Sequence, residues 1–507
     1  MATGKALAFV AACGLLAGQT RTVVNSAEKT LKPAVVSPAA FGKLYSYYVD
    51  GSVFAQPLYS QVGGRNLLFV VTMNDKAYAF DADHEGPPVW MRDLTNEMAG
   101  ITPVPVTDIT NNNDLNLVGN IGIEGTPVID TAASAIFLVA RTKENGQYVQ
   151  RLHKLDLRTG KDLKAPATIE ASTAGTADDA VNGRVVFDAK AGNQRPALAL
   201  VNGSVAIAWA SHEDIRPYHG WVMAYDAATL KQQAAWCVTP NGHEGGIWQS
   251  GRGPVVDASG AIYFETGNGD WDGARNFGTS LVKLRLKGGS LIVEDYFTPH
   301  DYADLNRRDA DFGSTGPVMV PGTNVMIAGS KNGTLFLFDK DKLGHMTEEG
   351  AGLLQTLPVN GGRILAGPAI WAGPAGKILY LWCEADVLKG FRFDGRMLEA
   401  APLLKATIVN KGSPGGTVTV SSDGGAAGSG IVWATHTNNK SADHGNAPGV
   451  LRAFDAETLA ELWNSEQAPK RDRLGTLVKF VPPLVVNGKV YVPNYDNAVN
   501  VYGLLKP

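Results

Sequence analysis

The sequence predicts an all-β fold, an eight-bladed β-propeller whose ring is closed by pairing of its N- and C-terminal strands. Three observations predict it. Glycine stands at 58 of 507 residues while helix-like apolar periodicity is scarce, which points to many short strands and turns. One unit recurs along the chain: a proline, a turn, an apolar strand, a polar turn, and a strand ending in aromatic-Asp. A lone strand-like stretch, GKLYSYYVDG (42–51), precedes the first unit, and the last unit, ending at Val501-Tyr502, lacks a fourth strand.

The recurring prolines are Pro57, Pro127, Pro196, Pro254, Pro317, Pro368, Pro414 and Pro483. Each is followed by a strand, such as NLLFVVT (66–72), SVAIAWA (204–210), AIYFET (261–266) or KVYVPNY (489–495), and then by a second one, such as KAYAFDAD, WVMAYDAA or TLFLFDKD. Several units close on a tryptophan, as at Trp90, Trp236 and Trp463. A unit of three or four strands cannot bury a sheet face alone, and radial stacking of eight such units does so. Residues 42–51 then complete the eighth blade and remove the exposed sheet edges. The stretches 95–120 and 171–193 are polar insertions between blades, so 42–507 is a single domain.

The N-terminus, MATGKALAFVAACGLLAGQT, carries one lysine and an apolar run from Ala6 to Ala17. That run is too short to span a bilayer and fits the h-region of a secretory signal peptide over 1–26, with export to the periplasm or outside the cell. Val10-Ala11-Ala12-Cys13 also has the outline of a lipoprotein cleavage site. No second long apolar segment follows. Of three cysteines, Cys237 and Cys383 fall in strands of non-adjacent blades, so a disulfide framework is not expected, and no C-x-x-C-H haem attachment occurs. The net charge of −4 gives no electrostatic case for nucleic acid.

Meander blades put the turn between second and third strands, and the connection entering the next blade, on one face. On that face the sequence gathers SHEDIRPYHG (211–220) in blade 3, TGNGDWDGARNFG (266–278) in blade 4 and Lys331-Asn332-Gly333 in blade 5. Entering blades 4 and 5 are NGHEGGIWQSG (241–251) and RRDADFGSTG (307–316). Tight turns use Asp, Asn and Gly in any propeller. Together, however, these carboxylates, the carboxamide, the ammonium and the indole match an oxygen-rich site for a hard cation beside a flat apolar platform.

In these segments the chain resembles the quinoprotein alcohol dehydrogenases and, over most of its length, PQQ-binding-like propeller proteins of the same superfamily. The resemblance implies pyrroloquinoline quinone (PQQ) and Ca²⁺ as cofactors. YFETGNGDW (263–271) resembles the strand and Thr-Gly-Asn whose asparagine binds calcium, which implies that role for Asn268. GWVMAYD (220–226) resembles a strand preceded by a calcium-binding carboxylate, here Asp214 or Glu213. Gly245-Gly246-Ile247-Trp248 resembles the segment whose tryptophan floors the quinone. In DADFGSTGPVMV the catalytic aspartate's place falls to Asp311, with Asp309 or Asp304 as alternatives, and KNGTLFLFD (331–339) puts Lys331 beside the quinone carbonyls. Arg252 and Arg195 are candidates to neutralise the cofactor's carboxylates. The adjacent cysteine pair common in those dehydrogenases is missing. The implied function is oxidation of a small alcohol or sugar hydroxyl by an aspartate base and hydride transfer to the quinone, with a separate periplasmic electron acceptor. The alternative is a non-catalytic propeller serving as a binding scaffold. A carbohydrate-active propeller using Asp309 and Asp311 as paired carboxylates is the third reading.

Overall fold

The computed structural model describes residues 18–19, 23–110, 116–347, 351–359, 361–438 and 440–506. Most of the expected signal segment, Cys13 included, lies outside them. Among the described residues, eight four-stranded antiparallel meanders follow one another in chain order. Blade 1 runs from Leu58–Val62 to Trp90–Asp93, blade 2 from Val128–Asp130 to Ala167–Thr168, and blade 3 from Ala199–Val201 to Gln232–Cys237. Blade 4 runs from Val255–Val256 to Ser290–Phe297, blade 5 from Val318–Met319 to Leu353–Pro358, blade 6 from Ala369–Gly373 to Leu404–Val409, and blade 7 from Thr417–Ser421 to Glu461–Asn464. Blade 8 takes three strands from the C-terminus (Leu484–Val486, Lys489–Asn494, Ala498–Leu504), and its outermost strand is Phe41–Tyr48. Phe41 faces Leu504 and Tyr48 faces Ala498, so the chain ends close the ring as expected. This is an eight-bladed β-propeller.

Stacking of blade on blade makes the core. Phe137 and Leu152 of blade 2 pack with Ile207, Trp209 and Met223 of blade 3 in one apolar layer. Ala208 and Val222, on the opposite face of blade 3, pack with Ile262, Phe264 and Val282 of blade 4. Strand alternation thus feeds two cores from each blade, and no blade buries its sheet alone. The recurrent aromatic-Asp has a local cause. Asp226 Oδ1 accepts the N–H groups of Ala228 (3.1 Å) and Thr229 (2.7 Å) and the Thr229 hydroxyl (2.7 Å), closing the turn to the outer strand. Asp156 and Asp455 close the equivalent turns of blades 2 and 7 in the same way.

Both insertions are built into the propeller. Within 95–120, Ile101–Pro105 pairs with the end of Ala135–Glu144 in blade 2. Within 171–193, Ser172–Ala174 pairs with Arg184–Val186, and Gly192–Asn193 pairs with Ala210 and Ser211 of blade 3. Val24–Asn25 lies parallel to Thr417–Ser421, the innermost strand of blade 7. Asn25 Nδ2 donates to Val485 O at 2.9 Å, and the buried Glu28 accepts the Gly488 N–H at 3.0 Å. Chain from residue 23 onward therefore packs on the propeller.

Candidate functional site

Alternation of strand direction brings the segments singled out above to one face, around a central funnel. Its cavity of about 290 Å³ is lined by Asp214, Trp248, Asn268, Asp309, Asp311 and Lys331, and also by Glu213 and Arg195. Of the candidates, Arg252 and Asp304 are not brought there. Arg252 is half-buried between blades, where Nη2 donates to Pro368 O at 2.9 Å and desolvation, opposed by Glu265, pulls its pKa down to about 10. Asp304 sits on the short helix Tyr302–Arg307 and pairs with Arg307 and Arg308.

The centre of the site is a chain of charges between blades 4 and 5. Lys331 Nζ lies 2.7 Å from Asp311 Oδ2 and 3.0 Å from Asp309 Oδ1. The side chains of Lys331 and Asp311 are 14% and 9% exposed, whereas that of Asp309 is 68% exposed. Burial pulls the Lys331 pKa down, but Asp311 and Asp309 outweigh it and hold the ammonium above its ordinary value. The Lys331 N–H donates to Asp311 O at 2.9 Å, so the turn that supplies the lysine is hydrogen-bonded to the loop that supplies the aspartate.

Asn268 joins this chain. Its backbone N–H approaches Asp311 Oδ1 at 3.3 Å and its Nδ2 donates to Asp309 Oδ1 at 2.8 Å. A carboxylate accepts only, so the amide must turn its nitrogen to Asp309 and its oxygen away. That oxygen is buried and has no hydrogen-bond partner among the described residues. On the same lining, Asp214, in the left-handed region with φ 49°, accepts the Tyr218 hydroxyl at 2.8 Å. Desolvation, with Asp311 and Asp309 adding to it, raises the Asp214 pKa although Tyr218 and Lys331 oppose the change. Trp248 is half-buried and packs edge-on against Phe480, with centroids 5.7 Å apart.

The wall formed by blades 2 and 3 was not anticipated. Glu124, Asn193 and His212 line the same cavity beside Arg195. Glu124, His212 and Arg195 are 4%, 1% and 5% exposed. Burial raises the Glu124 pKa against the pull of Arg195 and Arg141. A positional signal would have found part of this wall. The third residue before each blade's leading proline is Phe54, Glu124, Asn193, Leu365 or Phe480 in five blades, and all five line the funnel.

Six carboxyl groups (Glu124, Glu213, Asp214, Asp309, Asp311, Asp443) line the cavity against four Lys or Arg side chains (Arg195, Lys331, Arg363, Lys479). Carboxyl groups thus outnumber Lys and Arg side chains by two along this lining. No group of three or more His, Cys, Asp or Glu able to hold a metal occurs among the described residues. A cation here would therefore need the Asn268 amide oxygen and oxygens from a ligand.

No model of a protein family matches the sequence, and no curated protein matches it. Among solved structures it is similar to the computationally designed protein Ika8. The TM-score is 0.51 at 11% identity, over 91% of this chain and 99% of that one. At that identity the likeness speaks to the fold alone. Some 698 solved chains match, so the arrangement is shared widely and any function has to be argued from the funnel.

Proposed function

We propose that the protein is an exported quinoprotein-type oxidoreductase whose funnel binds Ca²⁺ and PQQ and oxidises a hydroxyl of a small alcohol or sugar. The observation that carries this reading is the buried, unpartnered Oδ1 of Asn268 beside the Asp311–Lys331 pair. The donor set fits a hard cation: carboxylate at Asp214, carboxamide oxygen at Asn268, and an excess of two carboxylates around the cavity. A half-buried Trp248 offers a flat apolar face to a planar cofactor. The cofactor's carboxylates would draw on Lys331 and on Arg363, which now binds Glu384 and Asp443.

When bound, PQQ supplies a two-electron acceptor and Ca²⁺ a Lewis acid. Asp311 is placed to take the substrate's hydroxyl proton. Its Oδ2 is committed to Lys331, whereas Oδ1 meets only one long amide contact, so the proton is received at Oδ1. Lys331, held above its ordinary pKa by its two carboxylate partners, gives Asp311 a charged hydrogen-bond donor. It also ties Asp311 to the exposed Asp309.

A second reading, a non-catalytic binding scaffold, is favoured by one observation: Lys331 and Arg363 already carry carboxylate partners within the protein. Calorimetric titration with PQQ in the presence and absence of Ca²⁺, followed by dye-linked assay of an alcohol and sugar panel, separates the two. Calcium-dependent PQQ binding with turnover lost in Asp311→Asn supports the enzyme. Failure to bind PQQ at up to about a millimolar removes it.

A further inference from the structure

The wall between blades 2 and 3 contains polar atoms that the reading above does not use. Glu124 Oε2, His212 Nε2 and Asn193 Oδ1 are buried and have no hydrogen-bond partner among the described residues. All three residues line the funnel. Glu124 Oε2 and His212 Nε2 are 3.7 Å apart, and Glu124 Oε1 stands 3.8 Å from Arg195 Nε. Both gaps exceed hydrogen-bond length. The guanidinium is held in place from elsewhere, donating to Phe54 O at 3.3 Å and Lys479 O at 3.1 Å. Leaving buried polar groups unpaired is costly, so three on one wall call for an occupant.

Charge and geometry narrow the occupant. Arg195 and, behind the wall, Arg141 both act on Glu124, which disfavours a metal ion or an alkylammonium. Unpaired carboxylate and amide oxygens disfavour an anion. A neutral hydroxyl, which donates and accepts at once, satisfies the set: an oxygen about 2.8 Å from both Glu124 Oε2 and His212 Nε2 closes a triangle on the 3.7 Å base. We propose that Glu124, Asn193 and His212 form a recognition subsite for adjacent hydroxyls of a sugar or polyol. Its role as anchor for the substrate rests on the proposed function, whereas the binding does not need the quinone. Substrate would then lie across the funnel, with distal hydroxyls on blades 2 and 3 and the reacting hydroxyl toward Asp311. This narrows the substrate from alcohols in general to polyhydroxylated compounds.

The test is binding of sorbitol, D-glucose and 1-butanol to the full chain without PQQ, by saturation-transfer NMR and calorimetry. Sorbitol or glucose should bind and 1-butanol should not. Binding should fall tenfold or more in Glu124→Gln and Asn193→Ala, with the far-UV spectrum and urea midpoint serving as fold controls. Asn193 is half-buried on a short edge strand, so its variant remains informative should Glu124→Gln fail to fold. No polyol binding at 50 mM (on the order of the weakest useful affinity), equal binding of 1-butanol, or indifference to Asn193→Ala overturns the subsite. PQQ titrated into the same preparations separates the readings. PQQ bound without polyol discrimination sinks the subsite alone, and polyol bound without PQQ sinks the quinone alone.

Discussion

Replacing Lys331 by Met tests whether the charges between blades 4 and 5 act as a unit. The substitution keeps the length of the side chain and deletes the ammonium that lies 2.7 Å from Asp311 and 3.0 Å from Asp309. The two partners differ in burial, 9% against 68% exposed, and burial sets the magnitude. Removing one member of a buried pair costs about 3–5 kcal/mol. Asp311 retains one amide contact and an opening to the funnel, which brings the expected loss to about 2–3 kcal/mol. Asp309→Asn removes an exposed contact to the same lysine and should cost under about 1 kcal/mol. The double variant Lys331→Met/Asp311→Asn leaves no buried charge and should recover about 1–2 kcal/mol of the summed single losses. Urea denaturation at pH 7 is the assay, with fluorescence and circular dichroism required to coincide. Thermal melting is a poor substitute, because a ring of this size moves only about 1 °C per kcal/mol. The pH dependence has a definite sign. Lys331's folded pKa is raised, so its contribution is complete below the unfolded value of about 10.4 and is lost as pH rises through the raised folded value. Equal costs for Lys331→Met and Asp309→Asn, or strict additivity in the double variant, would refute the coupled unit.

Three further outcomes follow from neighbouring groups. Asn268→Ala removes the unpartnered amide oxygen and should weaken Ca²⁺ binding at least tenfold in calorimetry while moving the urea midpoint little; unchanged affinity would place the cation elsewhere. Burial raises Glu265, the last residue of strand Ala261–Glu265 in blade 4, from 4.5 to about 8, against the Gly316 N–H and Thr315 hydroxyl that favour its ionised form. A carboxyl raised on folding binds its proton more tightly in the native state, so stability should fall between about pH 4.5 and 8 and level off above. In Glu265→Gln that slope should flatten, and an unchanged slope would assign it to another group. Cys237 and Cys383 are buried, with desolvation pushing both thiols up to about 12, so neither should react with an aromatic disulfide reagent at pH 8 until the protein is unfolded.

The fold was legible because the requirement it answers repeats along the chain. A short strand that cannot bury its face alone has to recur with the same apolar alternation, and each recurrence needs a turn that stops it. Asp226 with Thr229 shows that turn in full, and the aromatic-Asp pattern announces it. The ring closure was legible by subtraction: a fourth strand missing after Val501-Tyr502, and a spare one at 42–51. Insertion 171–193 was less so. Its contribution of Gly192–Asn193 to blade 3 depends on pairing with Ala210 and Ser211, a contact that no local pattern records.

The site divides along the same line. Asp214, Asn268, Asp311, Lys331 and Trp248 could be grouped because blade topology alone places their loops on one face, and all five line the funnel. Arg252 follows Trp248 by four residues, yet it turns beneath the funnel toward Pro368, because the tight turn at Gln249 and Ser250, both with positive φ, redirects the chain. Glu124, Asn193 and His212 escaped notice because each looks ordinary where it stands: a glutamate between Ile123 and Gly125, an asparagine before Gln194, a histidine just after a strand. The significance of Glu124 and Asn193 appears only when the third position before each blade's leading proline is compared around the ring. Five blades send that residue to the axis, and two of the five send a polar group that finds no partner there among the described residues. A repeat fold fixes where side chains converge and leaves open which ones converge. Departures from apolar residues at the axial position are therefore the part of a propeller's sequence that carries its chemistry.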